Sequence, residues 1–220
     1  MPAADTDLET LLREGLPAVG VDAEPQLVGR CVRFLRLLEK WNRAYNLTAV
    51  RDPADMVPLH LLDSLSLRPF LRGRRIADIG TGAGLPGLPL AMTEPERDFT
   101  LVDSGGKKVR FVRHAIGELE LANASAVQAR VPDWEPDELF DTVVCRAFSS
   151  LPEFVASCAG LLKPGGCLLA MKGRLPQTEL AALPLGWRAT RCEPVDLAGM
   201  DVHRHVVVLE HGAEHAAAAD

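Results

Sequence analysis

The 220-residue sequence has no uninterrupted apolar stretch of the roughly 18 residues that a membrane helix needs, so no membrane-spanning helix is expected. It also lacks paired cysteine spacing. The five cysteines (Cys31, Cys145, Cys158, Cys167 and Cys192) are odd in number and spread along the chain, which suggests neither a zinc site nor a disulfide framework. They read as small buried apolar side chains in a reducing compartment, with no metal expected. An excess of positive charge is missing too. The formal net charge is −6, which by itself gives no support to a nucleic-acid partner. The acidic start, Met1-Pro2-Ala3-Ala4-Asp5-Thr6-Asp7, reads against a secretory signal, so a cytoplasmic location is expected.

What is present is ordinary for a globular protein: 47% of residues are apolar, too many for a disordered chain. The charge is unevenly placed. Residues 31–75 carry nine basic and four acidic side chains, against a net negative charge everywhere else. Such a segment either lines an anionic substrate or is a solvated helix face.

Apolar residues at Leu27, Cys31, Phe34, Leu35, Leu38, Trp41 and Tyr45 recur near the 3.6-residue period and predict a helix over 26–45, entered through Pro25. Shorter helices are expected over 6–16 and 53–65, the latter with Asp52 as N-cap. From residue 74 strands and helices alternate. Strands are expected at 75–79, 99–103, 124–129, 140–145 and 167–171, and helices at 85–93, 107–119 and 151–162, with a Lys163-Pro164-Gly165-Gly166 turn. This alternation implies a parallel, doubly wound α/β sheet. Two last strands, near 188–195 and 205–210, have no long helix between them and predict an antiparallel edge. The expected organisation is a helical extension over 1–70, a catalytic domain over 71–212 and a frayed Ala-rich tail over 213–220.

The loop Asp78-Ile79-Gly80-Thr81-Gly82-Ala83-Gly84-Leu85-Pro86-Gly87 follows a strand and opens a helix. Glycines there permit close backbone approach to a ligand, and ligands of open α/β sheets lie beyond the strands' carboxyl ends. Gly82 to Gly87 match the dinucleotide pattern G-x-G-x-x-G, but the first glycine after the strand is Gly80, preceded by Asp78. Asp-x-Gly-x-Gly-x-Gly resembles the first motif of class I, Rossmann-like S-adenosylmethionine-dependent methyltransferases. In that family the loop contacts the amino-acid part of the cofactor and an acid after the second strand, here Asp103, holds its ribose. The alternative is a glycine-rich turn without a ligand.

Further stretches narrow the resemblance: Asn46-Leu47-Thr48, His60-Leu61-Leu62-Asp63-Ser64, Leu101-Val102-Asp103-Ser104 with Lys107-Lys108, Cys145-Arg146-Ala147-Phe148 and Met171-Lys172-Gly173. Together, in matching order over about residues 30–180, they resemble the ribosomal small-subunit methyltransferase G family, also called glucose-inhibited division protein B. The resemblance implies transfer of a methyl group from S-adenosylmethionine to N7 of one guanine in 16S rRNA, free or in the small ribosomal subunit, by a cytoplasmic monomer. The cofactor residues it implies are Asp78, Gly80, Thr81, Gly82, Gly84, Leu85, Asp103, Ser104, Arg130, Val131, Pro132 and Arg146. Pro132 departs from the acidic residue of many relatives, which leaves room for a backbone contact but not a side-chain one.

Guanine N7 bears a lone pair and no proton, so its methylation needs no general base. Proximity and placed charge suffice. Arg146 and Lys172, each following a strand, are the candidate catalytic residues, through guanine O6 or a phosphate; a bidentate O6/N7 grip is ruled out because N7 must stay free. His60 and Asp63 read as helix packing and a cap, or as closing the site. Two basic runs, Lys107-Lys108-Arg110-Arg113 and Arg68-Arg72-Arg74-Arg75, are candidate RNA contacts or plain surface. His203 and His205 read as surface residues. A nicotinamide oxidoreductase is the main alternative, disfavoured because the only tyrosine is Tyr45. A small-molecule methyltransferase and a non-catalytic assembly factor are the others.

Overall fold

Ile76, Ala77, Asp78 and Ile79 are all buried, so the strand they form has both faces covered, as in a parallel sheet between helical layers. The computed structural model describes residues 3–146, 148–195 and 204–212. Ala147, His203 and the 213–220 tail lie outside these. Seven strands form one sheet: β1 (Arg75–Ile79), β2 (Asp98–Asp103), β3 (Ala124–Gln128), β4 (Phe140–Cys145), β5 (Leu162–Lys172), β6 (Trp187–Val195) and β7 (Arg204–His211). Their order is β3-β2-β1-β4-β5-β7-β6. β7 is antiparallel to both its neighbours, while the first five strands pair in parallel. The expected antiparallel edge is therefore present, with the reversed strand one place in from the border.

Alternation along the strands divides the core in two. Ile76, Leu101, Val144, Leu169 and Val208 face the N-terminal helices, together with α5 (Gly87–Thr93) and α6 (Gly106–Glu118). Ala77, Val102, Val143, Leu168 and Val207 face α7 (Leu151–Cys158). On the first side α1 (Ala3–Gly15) and α2 (Pro25–Tyr45) share one continuous core with the sheet, and Trp41 of α2 lies 5.6 Å from the Phe111 ring of α6. Among the described residues no helix is long and apolar enough to cross a membrane.

Two local departures matter. The helix expected over 53–65 is continuous but not uniform: an α turn (Pro53–Met56) passes into a π-helical segment (Val57–Leu62) and back to α (Asp63–Leu65). Pro58 has no N–H to donate, and the ladder widens there. Asp52 caps the start as expected, accepting from the Ala54 N–H at 2.9 Å. The Lys163–Gly166 turn lies inside β5 rather than before it. Leu162 pairs with Phe140 and Cys167 with Thr142, so the turn is an outsized bulge between two paired ends.

The sheet's direction of winding reverses between β1 and β4, and the crevice there opens beyond the strands' carboxyl ends. Phe34, fully buried, lies in the shared core of helices and sheet. Phe34→Ala is expected to cost about 3–5 kcal/mol, read as a lower urea midpoint by circular dichroism. A loss below about 1 kcal/mol would show that α2 packs on the sheet only loosely.

Candidate active site

Chain leaving β1 turns at once. The N–H groups of Gly80 and Thr81 both donate to the Val102 carbonyl of β2, at 2.8 and 3.0 Å. Gly80 and Gly82 have φ of 69° and 57°, and a Cβ on Gly80 would meet nothing within 4 Å. These glycines leave the floor of a cleft bare, where any side chain would occupy ligand space. Gly84 and Gly87 answer to packing instead: a Cβ on Gly84 would strike Leu88 at 2.2 Å, and one on Gly87 would strike Asp78 and Leu101 at 2.8 Å.

Asp78 lies beneath the loop with no exposed surface. Its Oδ2 accepts from Thr81 Oγ1 at 2.6 Å and from the Gly87 N–H at 2.8 Å, while Oδ1 is buried without a partner. Burial raises its carboxyl to about 6, against the opposing pull of the Thr81 and Gly87 bonds and of Arg146. Asp103, at the end of β2, accepts from the Gly82 N–H at 3.0 Å and the Gly105 N–H at 2.8 Å, with Lys108 Nζ at 3.3 Å.

Two clefts meet at Gly80 and Lys108. One, of about 720 Å³, is lined by Asp103, Ser104, Arg130, Val131, Pro132 and Phe148, with Gly80 at its floor. It brings together six of the residues expected to hold the cofactor. Asp133, which sequence reading passed over, also lines it and supplies an acid one position after Pro132. The other cleft, of about 540 Å³, takes Thr81, Gly82, Leu85, Arg146 and Lys172. Asp78 and Gly84 line neither and support the loop from below. The bare glycine floor and the Asp103 carboxylate beside it fit a ligand carrying an amino-acid group and a ribose.

The second cleft has a front wall built by the N-terminal segment. Asn42, buried in α2, accepts from the Thr48 N–H at 3.0 Å and donates to the Val50 carbonyl at 3.1 Å, which fixes the Asn46-Leu47-Thr48 loop. Thr48 Oγ1 then meets His60 Nε2 at 2.8 Å. Burial, reinforced by Arg146, lowers His60 to about 4, so its ring is neutral at physiological pH.

Asp63 corrects an expectation. It caps no helix; its buried carboxylate bridges two guanidinium groups, Arg146 Nη1 at 3.4 Å and Arg204 Nε at 3.1 Å. Burial raises its carboxyl and both arginines oppose that. Arg204 escaped the sequence reading because His203-Arg204-His205 drew attention for its histidines. Along β7, Arg204 points to the opposite face from His205. Lys172 Nζ is held at 2.8 Å from Glu179 Oε2, which also accepts from the Leu151 N–H at 2.7 Å.

A family model described as rRNA small subunit methyltransferase G (GidB) matches residues 29–207. The chain belongs to this family. It is 50% identical to ribosomal RNA small subunit methyltransferase G of Methylococcus capsulatus over 200 residues, covering 91% of this chain and 97% of that one. Against the protein of that name in Nitrosococcus oceani it is 48% identical over 201 residues, covering 91% and 94%. Among solved structures, TrmN of Thermus thermophilus superposes with a TM-score of 0.59 at 24% identity, over 77% of this chain and 53% of that one. A methyltransferase of Aquifex aeolicus gives 0.57 at 19% identity, over 74% and 96%. These likenesses show the Rossmann-like methyltransferase fold.

In this member of the GidB family, the raised Asp78 carboxyl has a signed consequence. The folded chain holds that proton more tightly than the unfolded chain does, so the group's stabilising effect is present below its ordinary value of 3.8 and is lost as pH rises through about 6. Asp78→Asn keeps an acceptor for Thr81 and Gly87. It is expected to stabilise the cofactor-free protein by about 2–3 kcal/mol at pH 7.5, with the gain vanishing near pH 4. Thermal melts across that range check it, and a gain independent of pH would refute the cause. Asp63→Asn should do the opposite, costing about 3 kcal/mol by leaving two half-buried guanidinium groups without their shared carboxylate. The urea midpoint of that variant measures the loss.

Proposed function

We propose that this chain transfers the methyl group of S-adenosylmethionine to N7 of a guanine in 16S rRNA, as a cytoplasmic monomer whose helical extension, 1–70, walls the site of a methyltransferase domain over 71–212. The observation that carries this reading is the junction of the two clefts at Gly80. One has a bare glycine floor over a buried acid and a second acid, Asp103, at the end of β2. The other presents Arg146, Lys172 and Arg204, with the neutral His60 as its only imidazole among the described residues.

S-adenosylmethionine, when bound, supplies a methyl group activated by a sulfonium sulfur. Asp103, Ser104 and the Arg130–Pro132 segment would hold its nucleoside, and the loop from Gly80 to Leu85, over Asp78, its amino-acid end. N7 attacks with a lone pair already free, so the protein need remove no proton from the acceptor. A His60 ring depressed to about 4 and engaged with Thr48 is a poor base at neutral pH, which suits an acceptor that needs none. Arg146 retains donors beyond the one directed at Asp63 and takes guanine O6 or a neighbouring phosphate. Methylation leaves the purine cationic. Asp63 and Glu179 offset two of the three positive charges of Arg146, Arg204 and Lys172, so the cleft offers fixed donors with only one charge left over. N7 is hidden in the deep major groove of A-form RNA, so the guanine enters from a loop or splayed strand.

A monomer is supported by the placement of the exposed large apolar side chains Leu11, Leu139, Leu175 and Leu185 on four separate segments. Labelled methyl transfer to small-subunit rRNA from cells lacking the modification tests the function, with mass spectrometry locating the label. The expected product is 7-methylguanosine at one site. Arg146→Ala should lower kcat/KM for RNA by about 10²–10³-fold and Lys172→Ala by less, with cofactor affinity titrated separately. Full activity in Arg146→Ala would end its assigned role.

A further inference from the structure

The molecule carries net negative charge and yet, on the reading above, must hold a polyanion, so the placement of its unneutralised cations carries information. At the amino end of the sheet five cations meet carboxylates. Arg72 meets Glu210, Arg74 meets Asp98, Arg75 meets Glu138, Arg97 meets Glu94 and Lys163 meets Asp141. Arg68, just before, also meets Glu94. The run Arg68-Arg72-Arg74-Arg75 is thus already matched by carboxylates.

The carboxyl end differs. Arg51, Lys107, Arg110 and Arg174 are exposed, and none makes an ion pair among the described residues. Three of them adjoin, in sequence, residues that line the acceptor cleft, and the fourth is one helical turn away. Arg51 follows Val50, Lys107 precedes Lys108 and Arg174 follows Gly173, and Val50, Lys108 and Gly173 all line that cleft. Arg110 shares a face of α6 with Lys107. The Arg51 guanidinium is held by neutral acceptors, the Asn42 carbonyl at 3.1 Å and Asn46 Oδ1 at 2.9 Å, so it is aimed without being neutralised. Of its acidic neighbours in sequence, Asp52 is engaged in capping Ala54 and Asp55 lies within the following turn. Lys107 opens a helix whose first turn has no acidic residue, against the preference of a helix N-terminus for negative charge. The run Lys107-Lys108-Arg110-Arg113 is itself divided: Lys108 faces Asp103 and Arg113 donates to the Ala126 carbonyl, which leaves Lys107 and Arg110.

We propose that Arg51, Lys107, Arg110 and Arg174 form a phosphate-binding rim that grips the RNA strand on either side of the reacting guanine, and that the amino-end arginines take no part. The proposal rests on the RNA reading and specifies which face meets the strand. Neutralised contacts release counterions, so each phosphate lost from the interface flattens the salt dependence of binding by about 0.7 for single-stranded RNA.

The test is filter binding of labelled, protein-free small-subunit rRNA between low and moderate salt, for wild type, Lys107→Ala/Arg110→Ala, Arg174→Ala and Arg74→Ala. Circular dichroism and titration with S-adenosylhomocysteine establish that each variant is folded and keeps its cofactor cleft. The rim variants are expected to bind more weakly at low salt and to give flatter slopes, with KM for RNA rising more than kcat falls. Arg74→Ala is expected to match wild type in slope. Unchanged slopes in rim variants of an enzyme that still methylates RNA, or an equal loss in Arg74→Ala, overturn the rim. A wild-type protein that binds the cofactor analogue but neither binds nor methylates RNA overturns the RNA reading instead, and the rim with it.

Discussion

The carboxylate of Asp63 joins three parts of the chain that lie far apart in sequence. It lies at the end of the π-helical segment, and through Arg146 and Arg204 it ties that segment to the end of β4 and the start of β7. A buried carboxylate without partners would be protonated or displaced, since ionised groups leave water only at considerable cost. Two guanidinium groups keep it charged, and it keeps them aimed in return. The acceptor cleft therefore depends on a mutual constraint: each arginine needs the acid to stay placed beside a second arginine, and the acid needs both to stay ionised in the core.

The front wall follows from the same economy of polar partners. Asn42 in α2 spends its amide on the backbone of Thr48 and Val50, Thr48 spends its hydroxyl on His60, and His60 and Asp63 are three residues apart on one helical segment. The widening of that segment at Pro58 sets how these two side chains meet the sheet. The front wall is thus more than a packed extension: it delivers a neutral ring and a charged carboxylate to a cleft whose other walls come from strand ends.

Much of this was legible in the chain. Strand positions and the glycine loop could be read because burial on both faces leaves continuous apolar runs, and because turns after β1 demand glycine. The same loop and Asp103 singled out residues that the fold gathers around one cleft. What escaped were pairings between segments distant in sequence. Nothing local to Asp63 announces a partner 141 residues away, so it read as a cap or as part of what closes the site, with no partner named, and Arg204 was overlooked between two histidines. Charge runs misled in the same way. Arg72, Arg74 and Arg75 look like a nucleic-acid patch until the fold brings Glu210, Asp98 and Glu138 alongside.

That last point bears on how an acidic protein handles a polyanion. Long-range attraction depends on the field at the approach surface, and fields in solution are screened over about 10 Å. Charge on the far end of the sheet is beyond that reach of an RNA strand at the cleft, and internal pairing cancels it in any case. The proposed rim would let a modest number of unpaired cations at the mouth receive RNA without making the whole molecule basic. The inner cations face a different demand. On the proposed reading they would stand beside a ring that becomes positive on methylation, and Asp63 and Glu179 offset two of their three charges. Free charge outside for capture and largely offset charge inside for chemistry would answer opposite requirements, and on the proposed reading the fold separates them by only the width of the cleft's rim.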